Sequence, residues 1–124
     1  MLKEKYKDLI AYGQKLRMNS LEATEAEGKL KIRGTAAYQM EKDMFWDKLK
    51  SYSTWMDEVG ADIKVEHTDL YGYYTVKPGD SLSKIAKWHL GDPMAYPKIF
   101  EANKDQLTNP DLIKVGQTLK LPNR

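Results

Sequence analysis

Turn-forming residues cut the C-terminal part of this chain into short pieces, and no other feature constrains its fold as much. Pro78-Gly79-Asp80-Ser81, Gly91-Asp92-Pro93, Asn109-Pro110-Asp111 and Gly116-Gln117 each interrupt the pattern, and Pro122 ends it. Gly and Pro are the strongest local breakers of regular structure. Between the breaks, Tyr73 to Lys77 reads as a strand. Leu82, Ile85, Ala86 and His89 fall on one face of a helix, and Tyr96, Ile99, Phe100 and Asn103 lie along a second. Asp80 or Ser81 is placed to cap the first helix. Gly91 closes it, Asp92 caps the next, and Pro93 takes the next helix's first turn. Thr118 to Leu121 reads as a last strand. The order is strand, helix, helix, strand, and spacing alone does not choose between parallel and antiparallel pairing.

The N-terminal part has a different rhythm. Leu2, Tyr6, Leu9, Ile10, Gly13 and Leu16 recur at steps of three and four, the mark of an amphipathic helix. Gly13 on its apolar side would let a neighbour approach closely. Asn19 and Ser20 break the pattern. Leu21 and Ala23 then alternate with polar residues, Glu27-Gly28 signals a turn, and alternation resumes at Leu30 and Ile32 with Lys31 and Arg33 between. That is a hairpin with one buried face, and Gly34 is expected to end or bulge its second strand. A long helix is expected from Ala37 to Val59 with Met44, Phe45, Leu49, Tyr52, Met56 and Val59 as its stripe and Gly60 as its C-cap. Ala61 to His67 alternates again, Ile63 and Val65 inward. Two helices on one face of a three-stranded sheet make an α+β unit. Thr68 to Gly72 is a short joint, from which packing of the two modules on each other is expected.

Composition narrows the function. The chain has 124 residues, 41% hydrophobic and 31% charged, values that exclude a disordered tail, a collagen-like repeat and a membrane span. Cysteine is absent, which removes disulfides, thiolate metal sites and cysteine nucleophiles together. Residues 1–72 carry 12 Lys and Arg against 13 Asp and Glu, and residues 73–124 carry 8 against 5. No basic stripe of the kind that holds nucleic acid is present. The N-terminus lacks the apolar core of an export signal, so a cytoplasmic location is expected, or the cell envelope if Met1 stands where a native signal was removed.

Residues 73–122 resemble a LysM domain over the whole module. The opening is Tyr74-Thr75-Val76-Lys77-Pro78-Gly79-Asp80-Ser81-Leu82. The middle is Ile85-Ala86, Gly91-Asp92 and Ile99-Phe100-Glu101-Ala102-Asn103. The close is Asn109-Pro110-Asp111-Leu112-Ile113, Gly116-Gln117 and Leu119-Lys120-Leu121-Pro122. The resemblance implies a βααβ fold with an antiparallel strand pair. It also implies an N-acetylglucosamine polymer, peptidoglycan or chitin, as ligand. Carried over by position, the sugar groove would lie between Gly79, Asp80, Ser81 and Leu82 on one side and Asn109, Pro110, Asp111, Leu112 and Ile113 on the other. Turn amides and carbonyls there would bond the N-acetyl group, and Leu82, Leu112 and Ile113 would receive its methyl and the apolar sugar face. A single copy implies weak binding, because multivalency normally supplies the rest.

The N-terminal module, helix, hairpin, helix, strand, resembles a BON domain, on Gly28-Lys29-Leu30-Lys31-Ile32-Arg33-Gly34-Thr35. The expected architecture is therefore α+β, an N-terminal αββαβ BON-like module over residues 1–70 followed by a βααβ LysM domain over residues 71–124. The pairing resembles small bacterial BON-LysM potassium-binding proteins, in which the ion rearranges the two modules. Gly13-Gln14-Lys15-Leu16 is similar to their N-terminus, but Gln14 stands where they carry an acid, and no cation ligand is assigned. The first functional expectation is a non-catalytic reader of N-acetylglucosamine-containing glycan. The alternatives are a cytoplasmic potassium sensor and a structural protein of a phage tail or contractile injection system. A potassium ion is the one cofactor in view, and an N-acetylglucosamine oligomer or a protein is the expected partner.

The remaining chemistry-bearing residues read as structural. His67 and His89 are isolated, and His89 on an apolar helix face is a packed histidine rather than a ligand. Glu41, Asp43 and Asp47 among Lys42, Lys48 and Lys50 read as a solvated face of ion pairs. Trp46 and Trp55 read as packing residues, Trp88 less so. Of Tyr71, Tyr73 and Tyr74, not all can point inward from one strand. No paired acids, HExxH or Ser-His-Asp pattern stands out.

Overall fold

Leu30, Ile32 and Ala36 are completely buried while Lys31 and Arg33 between them are exposed, so the strand that carries them has one wet face and one dry face. In the computed structural model, which describes residues 1–123, this strand is β2 (Lys29–Ala36). It pairs antiparallel with β1 (Asn19–Ala26). Glu27 and Gly28 join them, both at positive φ (55° and 77°), the backbone of a type I′ hairpin turn. β3 (Val59–Val65) lies parallel to the other edge of β2, Leu30 opposite Val59 and Ala36 opposite Val65. A parallel pair needs a crossover, and α3 (Gln39–Lys50) and α4 (Trp55–Glu58) supply it. The architecture is α+β. The chain divides into two units, residues 1–68 and a second that begins at Asp69. Arg124, the expected end of the second domain, lies outside the described residues.

Five expectations for the first unit need correction. The opening helix is two pieces, α1 (Leu2–Lys5) and α2 (Lys7–Lys15), with Tyr6 at φ −104°, ψ 18° between them. The bend accompanies complete burial of Tyr6, whose ring meets Tyr52 at 4.6 Å. The long second helix also breaks. Ser51 turns its hydroxyl back to the Lys48 carbonyl, the competition with backbone bonding that makes Ser a poor helix interior. Gly60 caps nothing: it sits inside β3 opposite Lys31. Met56, expected on the buried stripe, is 75% exposed. Gly34 neither ends β2 nor bulges it. The irregularity is on β1, where Ser20 and Leu21 together oppose Gly34.

The core of this unit gathers Tyr6, Leu9, Met18, Leu30, Ile32, Phe45, Leu49 and Ile63 on the dry face of the sheet. Gly13 allows the expected close approach, since a Cβ there would stand 2.9 Å from Leu21 and 3.1 Å from Phe45. Trp46 and Trp55 pack edge to face at 5.6 Å beside the core, both half-buried.

The second unit is a two-stranded sheet under helices. β4 (Gly72–Thr75) and β5 (Thr118–Leu121) pair antiparallel, Tyr74 opposite Leu119. β4 is shorter than the expected Tyr73–Lys77 strand. α5 (Leu82–Ile85) runs on into a π-helical turn, Ala86–Leu90, closed by Gly91 in the left-handed conformation (φ 80°). Asp92 then accepts the Met94 N–H and Pro93 opens a 3-10 turn that leads into α6 (Tyr96–Ala102). Ile85, Ile99, Leu119 and Leu121 are fully buried. Of the three tyrosines, Tyr71 is buried, Tyr74 is half-buried and Tyr73 is 41% exposed.

Candidate functional site

The loop between β4 and α5 is held by its own side chains. Asp80 Oδ2 accepts the Tyr74 hydroxyl at 2.6 Å and the Lys77 N–H at 2.8 Å. Burial, followed by this bond to a carboxylate, pushes the Tyr74 phenol up to about 12. Burial alone would raise Asp80, but the bonds from Tyr74 and from the Lys77 amide outweigh it and carry the carboxyl below its ordinary value. Gly79 takes φ 85°, a conformation open to glycine at no steric cost. Ser81, not Asp80, is the N-cap: its Oγ accepts the Lys84 N–H at 3.2 Å. Tyr74 also meets the His89 ring at 5.2 Å, which makes His89 a packing residue, as expected.

The loop before β5 is built in a similar way. Asn109 Oδ1 accepts the Asp111 N–H at 2.9 Å and the Asn109 carbonyl accepts the Leu112 N–H at 3.1 Å. An Asn side chain bonded two residues ahead mimics a backbone turn.

Between the two loops lies a groove of about 160 Å³, lined by Ser81, Leu82, Ser83, Tyr96, Pro110 and Asp111. The structure thus brings together four of the nine expected residues: Ser81, Leu82, Pro110 and Asp111. Gly79, Asp80 and Asn109 shape the turns behind the wall. Leu112 is 59% exposed and Ile113 half-buried, and neither is among the lining residues. Leu82 is buried and forms floor rather than rim. Ser83 and Tyr96 are additions. Tyr96 stands three residues after Pro93, and its sequence pattern places it on a helix face with Ile99 and Asn103 rather than in a groove. The Ser81 and Ser83 hydroxyls stand 3.2 Å apart. Hydroxyls and one carboxylate on the walls, with Leu82, Pro110 and the Tyr96 ring as apolar surface, suit a ligand that is polar at its edges and apolar on a face.

Larger hollows lie elsewhere among the described residues. One of about 500 Å³ is shallow and apolar, against Pro97, Ala102 and Pro122. Another, of about 210 Å³, is polar and sits on the wet face of the three-stranded sheet. Among the described residues, no three His, Asp or Glu side chains gather as a metal site. Glu41 departs from the expected solvated face: it is half-buried, its Oε2 has no hydrogen-bond partner, and burial raises its pKa.

Residues 74–122 match the LysM domain. This part of the chain is a LysM domain. Over 49 residues the chain is 59% identical to an uncharacterized protein of Deinococcus radiodurans, a stretch covering 40% of this chain and 19% of that one. Over 50 residues it is 54% identical to the Potassium binding protein Kbp of Escherichia coli O6:H1, covering 40% of this chain and 34% of the relative. The matches span about a fifth and a third of the lengths of these two relatives, and the likeness to Kbp lies over the LysM part. Among the described residues no helix is long and apolar enough to cross a membrane.

Proposed function

We propose that the chain is a non-catalytic binding protein whose LysM domain reads N-acetylglucosamine-containing glycan in the groove between Ser81–Ser83 and Pro110–Asp111. The observation that carries this reading is the groove itself, which lies between the two loops where LysM resemblance implies sugar contact. On this reading the hydroxyls of Ser81, Ser83 and Tyr96 meet the sugar's polar edge. The Tyr96 ring and Pro110 receive the N-acetyl methyl or the apolar ring face. One shallow groove gives weak binding, and tight attachment requires several copies on one polymer. We read the first unit as BON-like, which its order of helical segment, hairpin, helical segment and strand supports, each helical segment being in two pieces.

A second reading rests on a separate observation, the 54% identity to the Potassium binding protein Kbp. On that reading the chain binds potassium through neutral oxygens such as backbone carbonyls, which suit this ion without an acidic cage.

One experiment separates them: an amide-shift NMR titration of the full chain, freed of potassium, with an N-acetylglucosamine tetramer in one arm and KCl against matched NaCl in the other. Saturable sugar shifts at Ser81, Leu82, Ser83, Tyr96 and Asp111 are expected from a glycan reader. Potassium-specific shifts with no sugar response would overturn the first reading in favour of the second. Silence in both arms would sink both.

A further inference from the structure

The wet face of the three-stranded sheet carries a feature that the LysM reading leaves unused. Glu22, Arg33 and Asp62 form a row across β1, β2 and β3, since Glu22 is opposite Arg33 and Arg33 is opposite Asp62. The next row places Thr35 opposite Lys64. Directly opposed residues on a sheet have Cβ atoms about 5 Å apart, and opposite charges there normally pair. These do not: within the described residues, the side chains of Glu22, Arg33, Asp62 and Lys64 make neither an ion pair nor a hydrogen bond. They surround the polar hollow of about 210 Å³ instead.

The backbone makes room for it. Ser20 and Leu21 oppose the single residue Gly34, so β1 bulges beside the hollow. Ser20 takes φ 53°, in the left-handed region that few non-glycine residues enter. Bulges of this kind are over-represented next to functional sites, where they re-aim a side chain. Held strain at a non-glycine residue is found in the same places. Here the bulged residue and Thr35 both line the hollow, each bringing a hydroxyl to the charged rows.

We propose that this hollow binds a small zwitterion, an α-amino acid, with its carboxylate on Arg33 and Lys64 and its ammonium between Glu22 and Asp62. Two cations can share the one carboxylate of such a ligand and two anions its one ammonium, leaving the set balanced in sign, and Arg33 in the centre offers the fork that suits a carboxylate. The volume is on the order of seven waters, more than a small amino acid such as alanine fills, so the ligand fits with water beside it. A simple anion would satisfy the cations but leave both carboxylates facing it, and a simple cation would do the reverse. This inference stands independently of the glycan reading, because every residue in it belongs to the first unit.

The test is an amide-shift titration of the full chain with alanine, with sodium acetate and methylammonium chloride as single-charge controls and NaCl matched throughout. Alanine is expected to give saturable shifts at Ser20 to Glu22, Gly34, Thr35 and Asp62 to Lys64, with neither control reproducing them. Arg33→Met and Asp62→Asn are each expected to weaken the alanine response about tenfold or more. Both residues are exposed, so unchanged amides elsewhere will verify the fold. Acetate reproducing the alanine shifts would reduce the hollow to an anion site and overturn the proposal. So would an absence of local shifts, or shifts that survive both substitutions.

Discussion

Asn103 and Lys120 are joined by two hydrogen bonds: the Asn103 Nδ2 donates to the Lys120 carbonyl at 2.9 Å, and its Oδ1 accepts the Lys120 N–H at 2.8 Å. One side chain thereby stands in for a strand neighbour along β5. The same amide donates to the Ile99 carbonyl at 2.7 Å and accepts Gln106 Nε2 at 3.1 Å, so the end of α6 is tied to β5 through a residue with no solvent exposure. Asn103→Leu fits the space but leaves the Lys120 N–H and carbonyl without their partner. Unmatched buried groups cost about 1–3 kcal/mol each. A loss of about 3 kcal/mol in denaturant unfolding is expected, and a loss below about 1 kcal/mol would show that Asn103 merely fills volume.

Glu58 predicts how the first unit responds to acid. Its Oε1 accepts Lys5 Nζ at 2.6 Å, the Thr54 hydroxyl, and the Tyr6 hydroxyl at 2.8 Å. These bonds, Lys5 first, hold its carboxyl down to about 2 against an ordinary value of 4.5. A folded pKa below the unfolded one means stability that is present above about 4.5 and lost as pH falls towards 2. Glu58→Gln removes that titration. The wild-type melting temperature is expected to fall more steeply than the variant's between those two pH values. Parallel curves would show that the cluster contributes nothing.

Glu41 predicts the opposite sign. Its buried Oε2 lacks a partner, and burial raises its pKa. A raised carboxyl makes the charged form a liability in the fold, present at neutral pH and absent once the group is protonated in both states. Glu41→Met keeps the length and removes the charge. It is expected to stabilise the chain by about 1 kcal/mol at pH 7, with the advantage shrinking in acid. A destabilised variant at pH 7 would mean that Glu41 has a partner in solution.

Short-range chemistry in the sequence carried much of this structure. The alternation of Leu30 and Ile32 with Lys31 and Arg33 marks the dry face of β2, and Gly91-Asp92-Pro93 marks a helix end and the next helix start. The LysM part was legible because its turns are spelled out residue by residue. What was missed depends on contacts distant in sequence. Tyr6 breaks its helix where its ring meets Tyr52, and its hydroxyl reaches Glu58. Gly60 looks like a C-cap until β2 claims it as a strand partner. The groove was found through its loops, but Tyr96 enters it from α6, across the module, and no local pattern distinguishes that tyrosine from one facing the core.

The groove makes a last prediction that separates contact from support. Asp80 does not line it, yet Asp80 holds the preceding turn through Tyr74 and the Lys77 amide. Asp80→Ala is therefore expected to lower stability by about 2 kcal/mol, since hydrogen bonds to a charged group are worth about 1.5–3 kcal/mol. It would weaken glycan binding only through the loop it loosens. Tyr96 lines the groove directly, half-buried, and among the described residues its side chain bonds to no neighbouring turn. Tyr96→Ala is expected to weaken binding of the N-acetylglucosamine tetramer about tenfold, the effect of losing about 1.4 kcal/mol of contact, with a smaller change in melting temperature than Asp80→Ala. Calorimetric titration of both variants beside thermal unfolding gives the comparison. If Asp80→Ala abolishes binding while Tyr96→Ala leaves it intact, the sugar sits on the Gly79–Asp80 turn and not in the groove beside Tyr96.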